Sequence, residues 1–157
     1  MKVDNVNSFV QGAQSTLTQV CGESGKLGKL FVKKPAPYKA GDVSIAIGFV
    51  GDLRGEVIYT MDTHTGIFLA SKIMFGFEVS DMDEMAVSAV SELANMISGN
   101  AASNLFSAGV NVDITPPSFI PPNEVESFSF TKPETKIICL PMHMTNGSVL
   151  EIDLHIP

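Results

Sequence analysis

The chain has 157 residues, 45% of them hydrophobic, with a mean hydropathy of +0.22, a formal net charge of -7 and a pI near 4.8. Such apolar content excludes a disordered chain, and with no basic run longer than Lys33-Lys34 there is no footprint for a phosphate backbone, so no nucleic acid is expected. No stretch approaches the roughly 18 apolar residues of a spanning helix, so no membrane partner is expected.

The length suits one domain over residues 1–157, burying about two thirds of the surface of its unfolded chain. Met1-Lys2-Val3-Asp4-Asn5 lacks the charged-then-apolar layout of a secretory signal. Cys21 and Cys139, two in number and far apart, read as reduced thiols. A cytoplasmic location is expected.

In chain order, Val3, Val6, Phe9, Val10, Ala13, Leu17 and Val20 recur at three- and four-residue steps and predict a helix over 3–21, stopped at Gly22. Residues 26–34 read as a strand that Pro35 and Pro37 terminate. Residues 43–49 and 55–61 form a predicted hairpin about Gly51-Asp52. Asp62 caps a second predicted helix running to about Phe75, with Ile67, Phe68, Ala70, Ile73 and Met74 inward and Gly76 ending it. Ser80-Asp81-Met82-Asp83 resembles a capping box for a third helix. Its expected buried stripe comprises Met82, Met85, Ala86, Ala89, Val90, Leu93, Met96, Ile97, Leu105 and Phe106, with Gly109 just past its end.

Residues 110–115 read as a strand, and the prolines at 116, 117, 121 and 122 as a stiff crossing. Residues 135–144 and 148–156 flank Thr145-Asn146-Gly147, the strongest hairpin signal in the chain. The fold class is therefore α+β, with helices laid on a mainly antiparallel sheet.

At about 100° per residue, Asp81, Ser88, Glu92, Asn95 and Gly99 fall on one stripe of the third helix, opposite the apolar stripe. Glu92 and Asn95 are one turn apart and close enough to act together. An acid and an amide so placed can grip a partner's cation and hold a water. Small residues, Ser88 and Gly99, border them. Gly99 costs a helix interior about 1 kcal/mol relative to Ala, and a close approach by another surface would explain it. On spacing alone the ordinary reading of Glu and Asn on an outer face is simple solvation, and E-x-x-N has almost no specificity by itself.

The surrounding sequence is more specific. The run from Asp83 to Asn100, DEMAVSAVSELANMISGN, with Val112-Asp113-Ile114-Thr115-Pro116-Pro117 and the Gly51–Tyr59 hairpin, resembles the CheX branch of the CheC/CheX chemotaxis phosphatases over nearly the whole chain. The resemblance implies the pseudo-two-fold fold of that family and dephosphorylation of a phosphorylated CheY-like receiver domain. It assigns Glu92 to an ion pair with the regulator's active-site lysine and Asn95 to the water that attacks the aspartyl phosphate in line. Asp81, Ser88 and Gly99 would belong to the surface that meets the partner. It also implies no cofactor or metal of the chain's own, Mg²⁺ being held by the regulator, and the sequence shows no metal-ligand spacing of its own. Family members of this type form homodimers by joining sheets, and a homodimer is expected here.

Positioning a water beside a partner's metal requires proximity and electrostatics and no protein nucleophile. Asn suits the water because it both donates and accepts.

Sliding the first helix by 81 positions sets Val6 on Val87, Phe9 on Val90, Ala13 on Ala94, Gln11 on Glu92 and Gln14 on Asn95. In CheC-type relatives both pseudo-symmetric helices can carry the motif. Gln11 cannot pair ionically with a lysine, so one site per chain is expected.

His64, His143 and His155 are scattered, Cys139 lies in an apolar run, and the glycines at 48, 51 and 55 form no phosphate loop. The rival reading is a non-catalytic binding module, since the flagellar switch protein FliM has a middle domain of related fold without phosphatase activity. A third is a small-ligand sensor with a pocket beneath the sheet.

Overall fold

In the computed structural model, residues 2–128 and 136–156 are described. Three α-helices, α1 (Val3–Thr16), α2 (Thr63–Ile73) and α3 (Glu84–Ser107), accompany eight strands. The strands are β1 (Lys26–Leu27), β2 (Phe31–Lys33), β3 (Val43–Gly51), β4 (Gly55–Met61), β5 (Val112–Ile114), β6 (Ser118–Ile120), β7 (Ile137–His143) and β8 (Val149–His155). They form one sheet in the order β1-β7-β8-β4-β3-β5, with β2 also on β7 and β6 also on β3. Each of these pairings is antiparallel, as expected.

The registers decide which side chains share a face. In the β3/β4 hairpin Ile45 opposes Tyr59 and Ile47 opposes Val57, and Tyr59 in turn opposes Ile152 of β8. These join Phe9, Leu17, Leu93 and Ile97 in the core between sheet and helices. A smaller core of Tyr38, Ile58, Ile120, Val125, Ile137 and Cys139 covers the other face of the sheet. The hairpin at Thr145-Asn146-Gly147 is present, with Gly147 at φ +87 and Met144 N–H donating to the Ser148 carbonyl at 2.8 Å. Thr135, the expected start of β7, lies outside the described residues.

Several expectations need correction. The strand expected over 26–34 is two short ones, separated where Gly28 N–H turns onto the Pro141 carbonyl at 2.7 Å. The expected stiff crossing after β5 contains β6, because residues 118–120 are free of proline and can pair with β3. In α2 the buried face carries Thr65, Gly66, Leu69 and Ala70, while Ile67, Phe68, Ile73 and Met74 are half-buried.

α3 begins later than the capping box suggested. Asp83, not Ser80, is its N-cap, its Oδ1 accepting from Ala86 N–H at 2.9 Å. The shorter Asp reaches the third residue of the helix well, which is the ordinary geometry of such a cap. Past its far end Gly109 adopts φ +85, and Val110 N–H donates to the Leu105 carbonyl at 2.8 Å in a Schellman closure.

Candidate active site

The orientation of α3 is fixed from beneath. Leu93, Ala94 and Ile97 are buried against the sheet and α1. Ser98 shares a 2.6 Å hydrogen bond with the Tyr59 hydroxyl, whose ionisation burial pushes far above its usual range. Asn100 Nδ2 donates to Thr16 Oγ1 at 2.7 Å, and Asn104 Nδ2 to the Ser8 carbonyl at 3.1 Å. Gly12 lets the two helices approach closely, since a Cβ there would lie 2.9 Å from Ala101 N. These polar ties on one edge and apolar contacts below resist rotation of the rod about its axis.

The opposite face is thereby turned outward. Glu92 is exposed and Asn95 half-buried. Residues one turn apart set their Cβ atoms about 5–6 Å from one another. Among the described residues neither side chain is engaged in a hydrogen bond or ion pair. A free carboxylate and a free amide thus stand side by side on a backbone held rigid below them. The pair can accept from a cation, and donate to and accept from a water.

Ser88 and Gly99 border the pair, as expected, Ser88 exposed and Gly99 half-buried. A Cβ on Gly99 would meet nothing within 4 Å, so the chain's own packing does not require glycine there. Asp81, exposed, precedes the Asp83 cap and lies outside the helix, so the helical angle that aligned it with Glu92 does not apply.

Two residues expected in the buried stripe are instead exposed on the site's face, Met85 at 65% and Phe106 at 67%, and a third, Met96, is only half-buried and about 40° from Glu92. Apolar character alone predicts an inward position for Met85 and Phe106. Their helical angles point the other way, about 20° and about 40° from Glu92.

The internal echo extends to burial. Phe9 and Val90, and Ala13 and Ala94, are buried pairs, and Val6 and Val87 are both half-buried. Gln11 is exposed like Glu92, and Gln14 half-buried like Asn95. Gln14, however, is occupied within the chain, its Nε2 donating to the Gly25 carbonyl at 3.3 Å.

A second polar cluster lies on the other face of the sheet, and no ligand spacing announced it. Glu151 and Asp153 alternate onto one face of β8, and Cys139 stands opposite Asp153 on β7. Their ligand-type atoms lie within 4.8 Å of one another. Strand register assembles here what sequence spacing does not show. The cluster already contains a cation. Lys33 Nζ is 3.0 Å from Asp153 Oδ2 and contacts Glu151, and the Tyr38 hydroxyl donates to the same Asp153 oxygen. Burial, then the neighbouring Asp153, pushes Glu151 up to about 8. One lysine, two carboxyls and one proton held by Glu151 balance their charges in a structural network, with Asp153 Oδ1 buried and without a hydrogen-bond partner among the described residues. Burial likewise raises the Cys139 thiol far above its usual range, so it is no nucleophile.

A family model for the chemotaxis phosphatase CheX matches residues 43–142. The CheY-P phosphatase CheX of Thermotoga maritima is 30% identical over 151 residues, 96% of this chain and 93% of that protein. The chemotaxis protein CheX of Desulfovibrio desulfuricans has the same fold, with a TM-score of 0.83 at 23% identity over 99% of this chain and 100% of that one. A CheX-CheY-BeF3-Mg²⁺ complex from Borrelia burgdorferi contains a chain 27% identical, with a TM-score of 0.79 and 99% of each chain covered. The family model spans β3 to β6, α2, α3 and nearly all of β7, the similarity to the Thermotoga protein extends over almost the whole chain, as the resemblance in sequence implied, and the chain belongs to the CheX family of chemotaxis phosphatases.

Proposed function

We propose that this chain hydrolyses the aspartyl phosphate of a CheY-like receiver domain, with Glu92 and Asn95 as the working pair. Glu92 pairs with the receiver's active-site lysine and sets the register of docking. Asn95 holds the attacking water in line with the phosphoryl group. Mg²⁺ belongs to the receiver, and this chain brings no cofactor. The reaction takes place in the cytoplasm, where such regulators work.

The observation that carries the reading is the outward presentation of Glu92 and Asn95, without partners of their own among the described residues, on a helix pinned from beneath. A scaffold with no chemistry would not need an unpaired acid and amide held so firmly. Stabilisation of about 2.7 kcal/mol at the transition state gives a hundredfold acceleration, within reach of one positioned water in a metal-bearing pocket.

The test is phosphate loss from a panel of phosphorylated receiver domains of the same genome, with and without the protein. At least one should decay faster, and Asn95→Ala should abolish the acceleration without unfolding the chain. If no receiver responds to the native protein, the proposal fails.

We also propose a homodimer joined through the sheet. Phe31 and Val32 on the short strand β2 are 41% and 57% exposed, an apolar stretch that a second sheet would cover. Light scattering on Val32→Lys, against the native protein, should show a dimer becoming a monomer.

A further inference from the structure

The outward face of α3 carries more than the polar pair. Met85, Ser88, Glu92, Gly99, Ser103 and Phe106 lie within about 40° of one line along the helix, with Asn95 about 60° from Glu92. At about 1.5 Å per residue, Met85 and Phe106 are about 32 Å apart, and their midpoint falls at Asn95. Between the two large apolar side chains the line itself carries Ser88, Glu92, Gly99 and Ser103, with the half-buried Met96 about 40° to its other side.

We propose that Met85 and Phe106 are the apolar anchors by which this face grips the phosphorylated receiver domain, one at each end of the Glu92/Asn95 pair. The inference rests on the phosphatase reading given above for the pair itself, and adds the residues that set affinity.

The scale agrees. A standard interface covers about 800 Å² on each partner, a patch about 32 Å across if round. Centred on Asn95, such a patch ends at Met85 in one direction and at Phe106 in the other. The chemistry agrees as well. The centre of the face has to meet an acidic, Mg²⁺-bearing pocket and can contribute little net affinity, because desolvating polar and charged groups offsets much of their attraction. Affinity must then come from apolar burial at the flanks, and Met and aromatic side chains are the ones enriched at interfaces. Neither anchor is required by this chain's own packing: each leaves about two thirds of its surface in water, at a cost no internal contact explains. Gly99, with open space above it, removes the obstacle between the anchors.

The experiment uses the full chain with Met85→Ser, Phe106→Ser and the double variant. Receiver dephosphorylation is followed against receiver concentration, and binding to the receiver loaded with beryllium fluoride is measured by calorimetry. Each single change should raise the half-saturating receiver concentration and the dissociation constant about fivefold or more, leaving the maximal rate unchanged. Melting temperature and dimer mass should stay at native values. Native half-saturation in the double variant would overturn the inference, as would a change in oligomeric mass, which would make the face a seam between copies. If the native protein binds the loaded receiver but does not accelerate decay, the phosphatase reading fails while the binding arm still judges the anchors. If it does not bind the loaded receiver, both fail.

Discussion

Two glycines inside helices face opposite surroundings, and alanine at each separates the demands of the fold from those of the partner. At Gly99 the new Cβ meets nothing within 4 Å, so only the backbone term acts. Removing a mid-helix glycine should stabilise the chain by about 1 kcal/mol, which for a protein of this size raises the melting temperature by about 2–4 °C. At Gly12 the same gain in propensity is opposed. The Cβ would lie 2.9 Å from Ala101 N and 3.1 Å from the Ile97 carbonyl oxygen, and backbone atoms cannot swing aside as a side chain would. α1 and α3 must separate, and overpacking of this kind costs about 1–3 kcal/mol, leaving a net loss of up to about 2 kcal/mol. Urea unfolding and thermal melts of both variants give the signs directly. In parallel, receiver dephosphorylation should be weakened in Gly99→Ala, although that variant is the more stable one, because the added methyl stands where the partner approaches. A Gly99→Ala variant that gains stability and keeps full turnover would refute the argument that the glycine is kept for another surface. A Gly12→Ala variant as stable as the native chain would refute the argument that it is kept for this one.

The site and the buried network make further predictions. Asn95→Asp should lose turnover as fully as Asn95→Ala in the phosphate-release assay, since it sets a negative charge beside the phosphoryl group while melting stays within about 0.5 kcal/mol of native. Glu92→Gln should act on the half-saturating receiver concentration more than on the maximal rate if its task is an ion pair with the receiver's lysine. Glu151 titrates near 8 when folded against 4.5 in its ordinary state, so between those values the folded chain keeps a proton that the unfolded chain has released. Its contribution to stability is then greatest below about 4.5 and is lost as the pH rises through about 8. Lys33, whose pKa is raised by Asp153 and Glu151 against the opposing effect of burial, loses its contribution only at higher pH, above that window. Urea midpoints at pH 5 and pH 8.5 should show the native chain weakening across the range and Glu151→Gln changing less.

Much of the architecture was legible because it depends on local chemistry. The three- and four-residue recurrence from Val6 to Leu17, the left-handed Gly22 and Gly109, and the Asn-Gly turn each act through their own backbone or immediate neighbours. The site was legible for a related reason: Glu92 and Asn95 are one turn apart on one helix, so helical geometry alone brings them together, and the run around them carries the family likeness.

What the sequence by itself determined is the three helices and the longer strands, their antiparallel character, and the adjacency of one carboxylate and one amide. What tertiary structure decided is which way each surface points. Hydropathy set Met85 and Phe106 inward, whereas the rotation of α3, settled by Leu93 and Ile97 below and by the ties of Ser98, Asn100 and Asn104, leaves both outside. Asp81 left the stripe because the cap formed at Asp83, a choice between neighbouring acids that spacing could not make. The Lys33–Glu151–Asp153 network required three strands to pair in one register, bringing together residues more than a hundred positions apart. Contacts of that range depend on the whole chain finding one packing, and no local pattern encodes them.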